Sequence, residues 1–220
     1  MIGEKNFSKN TPNKKESDKI PTWLDLSNVD SLDLTNADPT ATALNLSHNQ
    51  ISTANLDTLL NSKKFSALKH LKLAWCGLEP KDIKMLADSK LLGQLESLDL
   101  SGNHINAEEI KTLLHSNKIA SLKSLNLHAT TPNSETAFVS KLANAPALNR
   151  LEELIIELSE DNYLENVRNL LKSPHLQNLK NLTIYSYDDV TEKDVMLINE
   201  FPNRKATYIQ DIPHTISFLR

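Results

Sequence analysis

Apolar residues along the chain recur in an L-x-x-L-x-L figure. Copies stand at Leu68-Leu71-Leu73, Leu95-Leu98-Leu100, Leu122-Leu125-Leu127, Leu151-Leu154-Ile156 and Leu179-Leu182-Ile184; an earlier copy, Ala41-Leu44-Leu46, starts with alanine. The middle leucines fall at 44, 71, 98, 125, 154 and 182, so the steps are 27, 27, 27, 29 and 28 residues. A fixed period of this length is the mark of a repeat architecture. A leucine-rich helical bundle would keep helical spacing throughout. Here the L-x-L piece alternates with period two, and a helical period follows it.

Each repeat therefore predicts a short strand, a turn and a helix. The leucines of L-x-L face one side of the strand and the intervening residues the other. Five residues past the middle leucine stand Asn49, Cys76 and Asn103, side chains able to satisfy backbone groups where the chain leaves the strand. Ile51, Leu78 and Ile105 then return to the core. Leu56-Leu59-Leu60, Ile83-Leu86-Ala87 and Ile110-Leu113-Leu114 have the spacing of an amphipathic helix with one buried stripe. A single repeat cannot bury its apolar face, so the core closes only when neighbours stack. The expected fold is α/β: a single solenoid domain over residues 20–220, with a parallel concave sheet and convex helices. Six strands at about 4.8 Å spacing make a sheet roughly 25–30 Å across.

The segment Leu98-Asp-Leu-Ser-Gly-Asn103-His-Ile105, followed by a helix, resembles the ribonuclease-inhibitor-like class of leucine-rich repeats. The returns from helix to strand, such as Ser62-Lys-Lys-Phe65-Ser-Ala-Leu68 and Ser89-Lys-Leu-Leu92-Gly-Gln-Leu95, are similar to those of bacterial arrays of 27-residue repeats. The resemblance covers about Trp23 to Ile198. It implies a leucine-rich-repeat solenoid, a right-handed horseshoe segment, and protein binding through the concave face without a catalytic residue. Two features depart from the class. Glu109 stands where a glycine is usual, and the asparagine position becomes Thr130, Ser159 and Tyr187 in the last three repeats.

Residues 1–19 are polar and expected to be disordered. Residues 20–40, with Trp23, Leu24, Leu26, Val29, Leu32 and Leu34, are expected to cap the first repeat as a strand pair or partial repeat. Six repeats fill about 41–200, and 201–220 form a second cap in which Ala206 to Ile209 is the expected last strand.

The residues flanking the strand leucines line the concave face. Candidate protein-binding positions are His70, Lys72, Trp75, Asp99, Asn126, His128, Glu153, Glu157 and Tyr185, with Trp75 and Tyr185 as aromatic anchors. A second candidate is a corner between strand and helix, where repeats four to six are longer. There Glu160 and Asp161 are expected to stack near Asp188 and Asp189. Clustered insertions often lie on a binding face; such an acidic corner would suit a basic partner or weakly hold a divalent cation. The spacing of a calcium loop is absent.

Composition narrows the picture further. The formal net charge is −4, from 24 basic and 28 acidic residues. That balance gives no reason to expect nucleic acid or an anionic membrane as partner. The single cysteine, Cys76, permits no intrachain disulfide and no cysteine-based zinc cage, which fits a reducing compartment. Because Cys76 falls on the turn position, it is expected to be structural. No stretch reaches the roughly 18 apolar residues of a membrane helix, and the N-terminus does not read as a secretory signal. The phosphate-loop, H-E-x-x-H and G-x-S-x-G motifs are absent. The expected protein is a non-catalytic, cofactor-free, metal-free monomer that binds another protein. It is expected in the cytoplasm, or exported by a dedicated system; the alternative reading is a bacterial effector that binds a host protein.

Overall fold

The computed structural model describes residues 21–29, 33–35, 37–130, 135–158, 163–185, 205–209 and 215–219. Seven strands form one parallel sheet in sequence order: β1 (Trp23–Asp25), β2 (Ala43–Asn45), β3 (His70–Lys72), β4 (Ser97–Asp99), β5 (Ser124–Asn126), β6 (Glu153–Glu157) and β7 (Asn181–Tyr185). The register matches leucine to leucine. Leu24, Leu44, Leu71, Leu98, Leu125, Leu154 and Leu182 lie side by side. The expected N-terminal cap thus contributes a strand of its own, with Leu24 as a seventh middle leucine twenty residues before Leu44. That step is seven residues shorter than the 27 between Leu44 and Leu71.

Helices α1 (Thr53–Asn61), α2 (Pro80–Asp88), α3 (Ala107–His115), α4 (Glu135–Ala143) and α5 (Tyr163–Lys172) return the chain along the opposite side. Their starts are legible. Ser52 accepts a hydrogen bond from Asn55 N–H, and Pro80 opens α2. Asn106 and Glu109 cap α3 reciprocally, the Glu109 carboxylate accepting from Asn106 N–H at 3.0 Å. Glu109, which stands in the glycine position of the resembling class, therefore has a local role. Ser62, Ser89 and Ser116 end α1 to α3, and a 3₁₀ turn follows each, burying Phe65, Leu92 and Ile119. The leucines of both elements meet in one continuous core. Strands β8 (Lys205–Ile209) and β9 (Thr215–Leu219) pair antiparallel, and β9 lies beside β7 at the C-terminal end of the sheet. The strand expected at 206–209 is present, but its partner β9 takes the place next to β7.

The turn after each strand is held by a ladder of buried side chains. Asn103 accepts from the N–H groups of Cys76 (3.1 Å) and Leu78 (3.0 Å) and donates to the carbonyls of Leu73 (2.8 Å) and Leu100 (2.9 Å). Asn49 does the same one step from the N-terminal end, accepting from Val29 N–H and donating to the carbonyls of Leu26 and Leu46. Cys76 occupies the rung between them, its thiol directed at the Leu46 carbonyl at 3.2 Å. In the fourth repeat Thr130 donates to the Leu127 carbonyl.

Candidate functional site

Parallel stacking at matched register sorts the concave side chains into rows. The first row runs Trp23, Ala43, His70, Ser97, Ser124, Glu153, Asn181; the second runs Asp25, Asn45, Lys72, Asp99, Asn126, Ile155, Thr183. The candidates His70, Lys72, Asp99, Asn126 and Glu153 lie in these rows, and Glu157 pairs with Tyr185 two residues further along β6 and β7. Trp23 joins them. Its position in the first row follows from β1, which the leucine count did not include. The signal was available in Trp23-Leu24-Asp25, a shortened copy of the strand figure.

Aromatic groups gather at both ends. Ala43 offers only a methyl and is fully buried. The Trp23 ring reaches past it to β3, where its centroid is 6.3 Å from that of His70 and the Lys72 ammonium sits 4.9 Å from the ring centre. At the other end the His128 and Tyr185 rings lie 4.0 Å apart, spanning β6. Glu157, on the intervening strand β6, flanks the ring pair. One Glu157 oxygen is 3.7 Å from His128 Nε2 and accepts from Ala129 N–H at 3.0 Å. Glu153 accepts from the Ser124 hydroxyl at 2.6 Å. Burial holds His70 below the ordinary imidazole range; Glu96 pulls the other way, while Lys123 and Lys69 add to the lowering.

Trp75 sits at the rim, 53% exposed, with φ of +55°. The equivalent residues His48, Gly102 and Ala129 also have positive φ, so the turn itself requires this backbone. Glycine takes it at no steric cost, whereas a tryptophan there is strained by about 1–2 kcal/mol. The indole lies flat on Gly102, where an added Cβ would come within 2.2 Å of the ring. The ring is thus held in place and presents its outer side to solvent.

Other polar residues serve the fold. Asp99 accepts from Ser101 N–H and hydroxyl, Asn126 from His128 N–H, and Asn45 from Ser47 N–H, each closing the turn after its strand. Just before the strands, Lys69, Glu96, Lys123, Glu152 and Lys180 form a row of alternating charge. Lys123 meets Glu96 at 2.6 Å, Lys69 reaches it at 4.0 Å, and Lys180 pairs with Glu152. This row repeats at the leucine period and is readable in the sequence once sought. Burial pushes the Cys76 thiol up to about 11, against nucleophilic use. Among the described residues no cluster of three or more His, Cys, Asp or Glu is arranged to hold a metal ion. The proposed corner residues Glu160, Asp161, Asp188 and Asp189 lie outside the described residues, as do Ser159, Tyr187 and the sixth helix expected at Val195 to Ile198.

Comparison with known families follows the same lines. The leucine-rich-repeat family model matches residues 41–54 and 95–113, parts of the first and third repeats. No curated protein matches the chain. Among solved structures, the protein in the crystal structure of a TLR13–ssRNA13 complex is similar at 24% identity and a TM-score of 0.39. The match covers 70% of this chain and 27% of that one. The matched repeats and the seven-stranded parallel sheet with its helices give the chain the architecture of a leucine-rich-repeat solenoid.

Proposed function

We propose that this protein is a non-catalytic interaction module that binds a partner protein through its concave sheet face. The observation that carries the reading is the pair of exposed indoles. Trp23 is 45% and Trp75 53% exposed, and these are the only tryptophans in the sequence. Large aromatic surfaces left in water at fixed positions are typical of binding anchors. Trp75 adds a second argument, because it tolerates a backbone conformation that glycine would adopt more cheaply. Both anchors lie towards the N-terminal end of the sheet, Trp23 on β1 and Trp75 in the turn after β3. The loops of the C-terminal half remain a second candidate contact region for the same partner.

The test is affinity capture of a partner, followed by binding of the purified partner to the Trp23→Ala/Trp75→Ala double variant. Affinity at least tenfold weaker than wild type is expected. Equal affinity would refute the concave-face reading. The same surface serves a cytoplasmic protein or one delivered into a host cell by a dedicated secretion system. A translocation assay from a carrier strain separates those two settings.

A further inference from the structure

Lys72 and Asp99 are direct neighbours in the register of β3 and β4. Opposite charges so placed ordinarily pair across the strands. Here they do not. The Lys72 ammonium sits over the Trp23 ring, and no cation lies within ion-pair distance of Asp99 among the described residues. The Asp99 carboxylate is held in one orientation by Ser101, whose N–H (2.9 Å) and hydroxyl (2.7 Å) both donate to Oδ1. Oδ2 carries no hydrogen bond.

The fold does not need that charge. Asn45 and Asn126 occupy the same row on the strands two before and one after, and each closes its turn with an amide oxygen. An acceptor suffices at this position, so the negative charge of Asp99 is surplus to the turn. The surroundings are also low. Ser97, Ser101 and Ser124 are small, while His70 and Lys72 rise on β3 and His128 beyond β5. Strands β3 and β5 stand about 9.6 Å apart, room for one extended side chain between them. Of the acidic and lysine residues on the concave side of the described strands, Asp25, Asp99, Glu153 and Glu157 stand against Lys72 alone, so the face favours a basic occupant.

We propose that Asp99 is a specificity-determining residue that receives a lysine side chain of the partner protein, its stem lying over the serine floor between β3 and β5. Lysine is favoured over arginine because Oδ1 is saturated and only Oδ2 is open. A guanidinium fork cannot engage both oxygens, whereas an ammonium needs only one. The proposal rests on the concave-face reading above and adds the chemistry of the residue it recognises.

A random-sequence peptide display library selected on the full chain tests it. Enriched peptides should share a lysine. Their affinity should fall about ten- to a hundredfold for Asp99→Asn, the usual worth of a charge-assisted hydrogen bond, and weaken with added salt. Asp99→Asn keeps the acceptor for Ser101, so its urea midpoint should match wild type; Asp25→Asn should change binding less than about threefold. Peptides that bind wild type and Asp99→Asn equally, but fail on Trp23→Ala/Trp75→Ala, overturn the lysine site and leave the concave-face reading intact. Peptides indifferent to all these variants overturn both. Enrichment of acidic or uncharged peptides, failure to enrich any peptide, or tighter binding of a fluorescent oligouridine than of any peptide, likewise overturns the proposal.

Discussion

Replacing Asn103 with alanine removes one side chain but disturbs two repeats. Its amide is 1% exposed and closes the turns of the second and third repeats together. Two N–H groups, those of Cys76 and Leu78, donate to no other acceptor and would be left buried and unpaired. Each such orphan costs about 1–3 kcal/mol. The carbonyls of Leu73, Leu100 and Ser101 also lose a donor. A water entering the vacated space recovers part of this, since the site is polar. The expected loss is about 3–5 kcal/mol, a large share of the roughly 5–15 kcal/mol that stabilises a folded domain. Among the described residues Asn49 supports one N–H group and two carbonyls at the N-terminal end, so Asn49→Ala should cost about half as much. Urea unfolding followed by circular dichroism, with tryptophan fluorescence as a second probe, measures both. Non-coincident transitions would report local melting around the second repeat, which a solenoid permits. An Asn103→Ala loss below about 1 kcal/mol, or one smaller than that of Asn49→Ala, would refute the ladder argument.

Trp75→Gly should unfold within about 1 kcal/mol of wild type, since relief of the left-handed strain offsets the lost contact with Gly102 and glycine's added chain entropy; a loss beyond about 2 kcal/mol by the same urea assay would show that the indole belongs to the core. Asn166 is buried in α5 with no hydrogen bond to either side-chain polar atom, at the helix position of Phe138 in α4. Asn166→Leu should therefore raise stability by about 1–2 kcal/mol, and a lower thermal midpoint would contradict this. Cys76, buried and with its pKa raised to about 11, should resist alkylation by iodoacetamide at pH 8 in the folded protein and react on unfolding; rapid native labelling, read by mass spectrometry, would rule that out. The Lys123 hydrogen bond holds the Glu96 carboxyl below its ordinary value of 4.5. Its stabilising contribution is complete above that value and disappears as pH falls through the lower, folded pKa. Glu96→Gln should remove that part of the acid sensitivity, an effect of less than about 1 kcal/mol for a partly exposed pair, and identical pH–stability profiles would count against it.

The architecture was legible because it depends on spacing. Leucines at steps of 27 to 29 residues dictate that each strand lands beside the next at matched register, and the observed pairs follow that count. Asn49, Cys76, Asn103 and Thr130 were legible for the same reason, as were the strand positions of His70, Lys72, Asp99, Asn126, Glu153, Glu157 and Tyr185. Spacing was less informative at the N-terminal end, where β1 arrives after a short step and brings Trp23 into the first row.

What the sequence determined by itself is therefore the order of strands, the face each side chain occupies and the buried ladder, all consequences of period and polarity. Only the tertiary structure decided which neighbours interact. Lys72 has Asp99 beside it on β4 and the Trp23 ring arriving past Ala43, and its ammonium lies over the ring. Trp75 lies flat because Gly102, twenty-seven residues later, lacks a Cβ. His128 meets Tyr185 past an intervening strand. These choices turn on rotamers and on contacts between residues far apart in the chain. A one-dimensional period places such residues side by side but does not say which way their side chains turn.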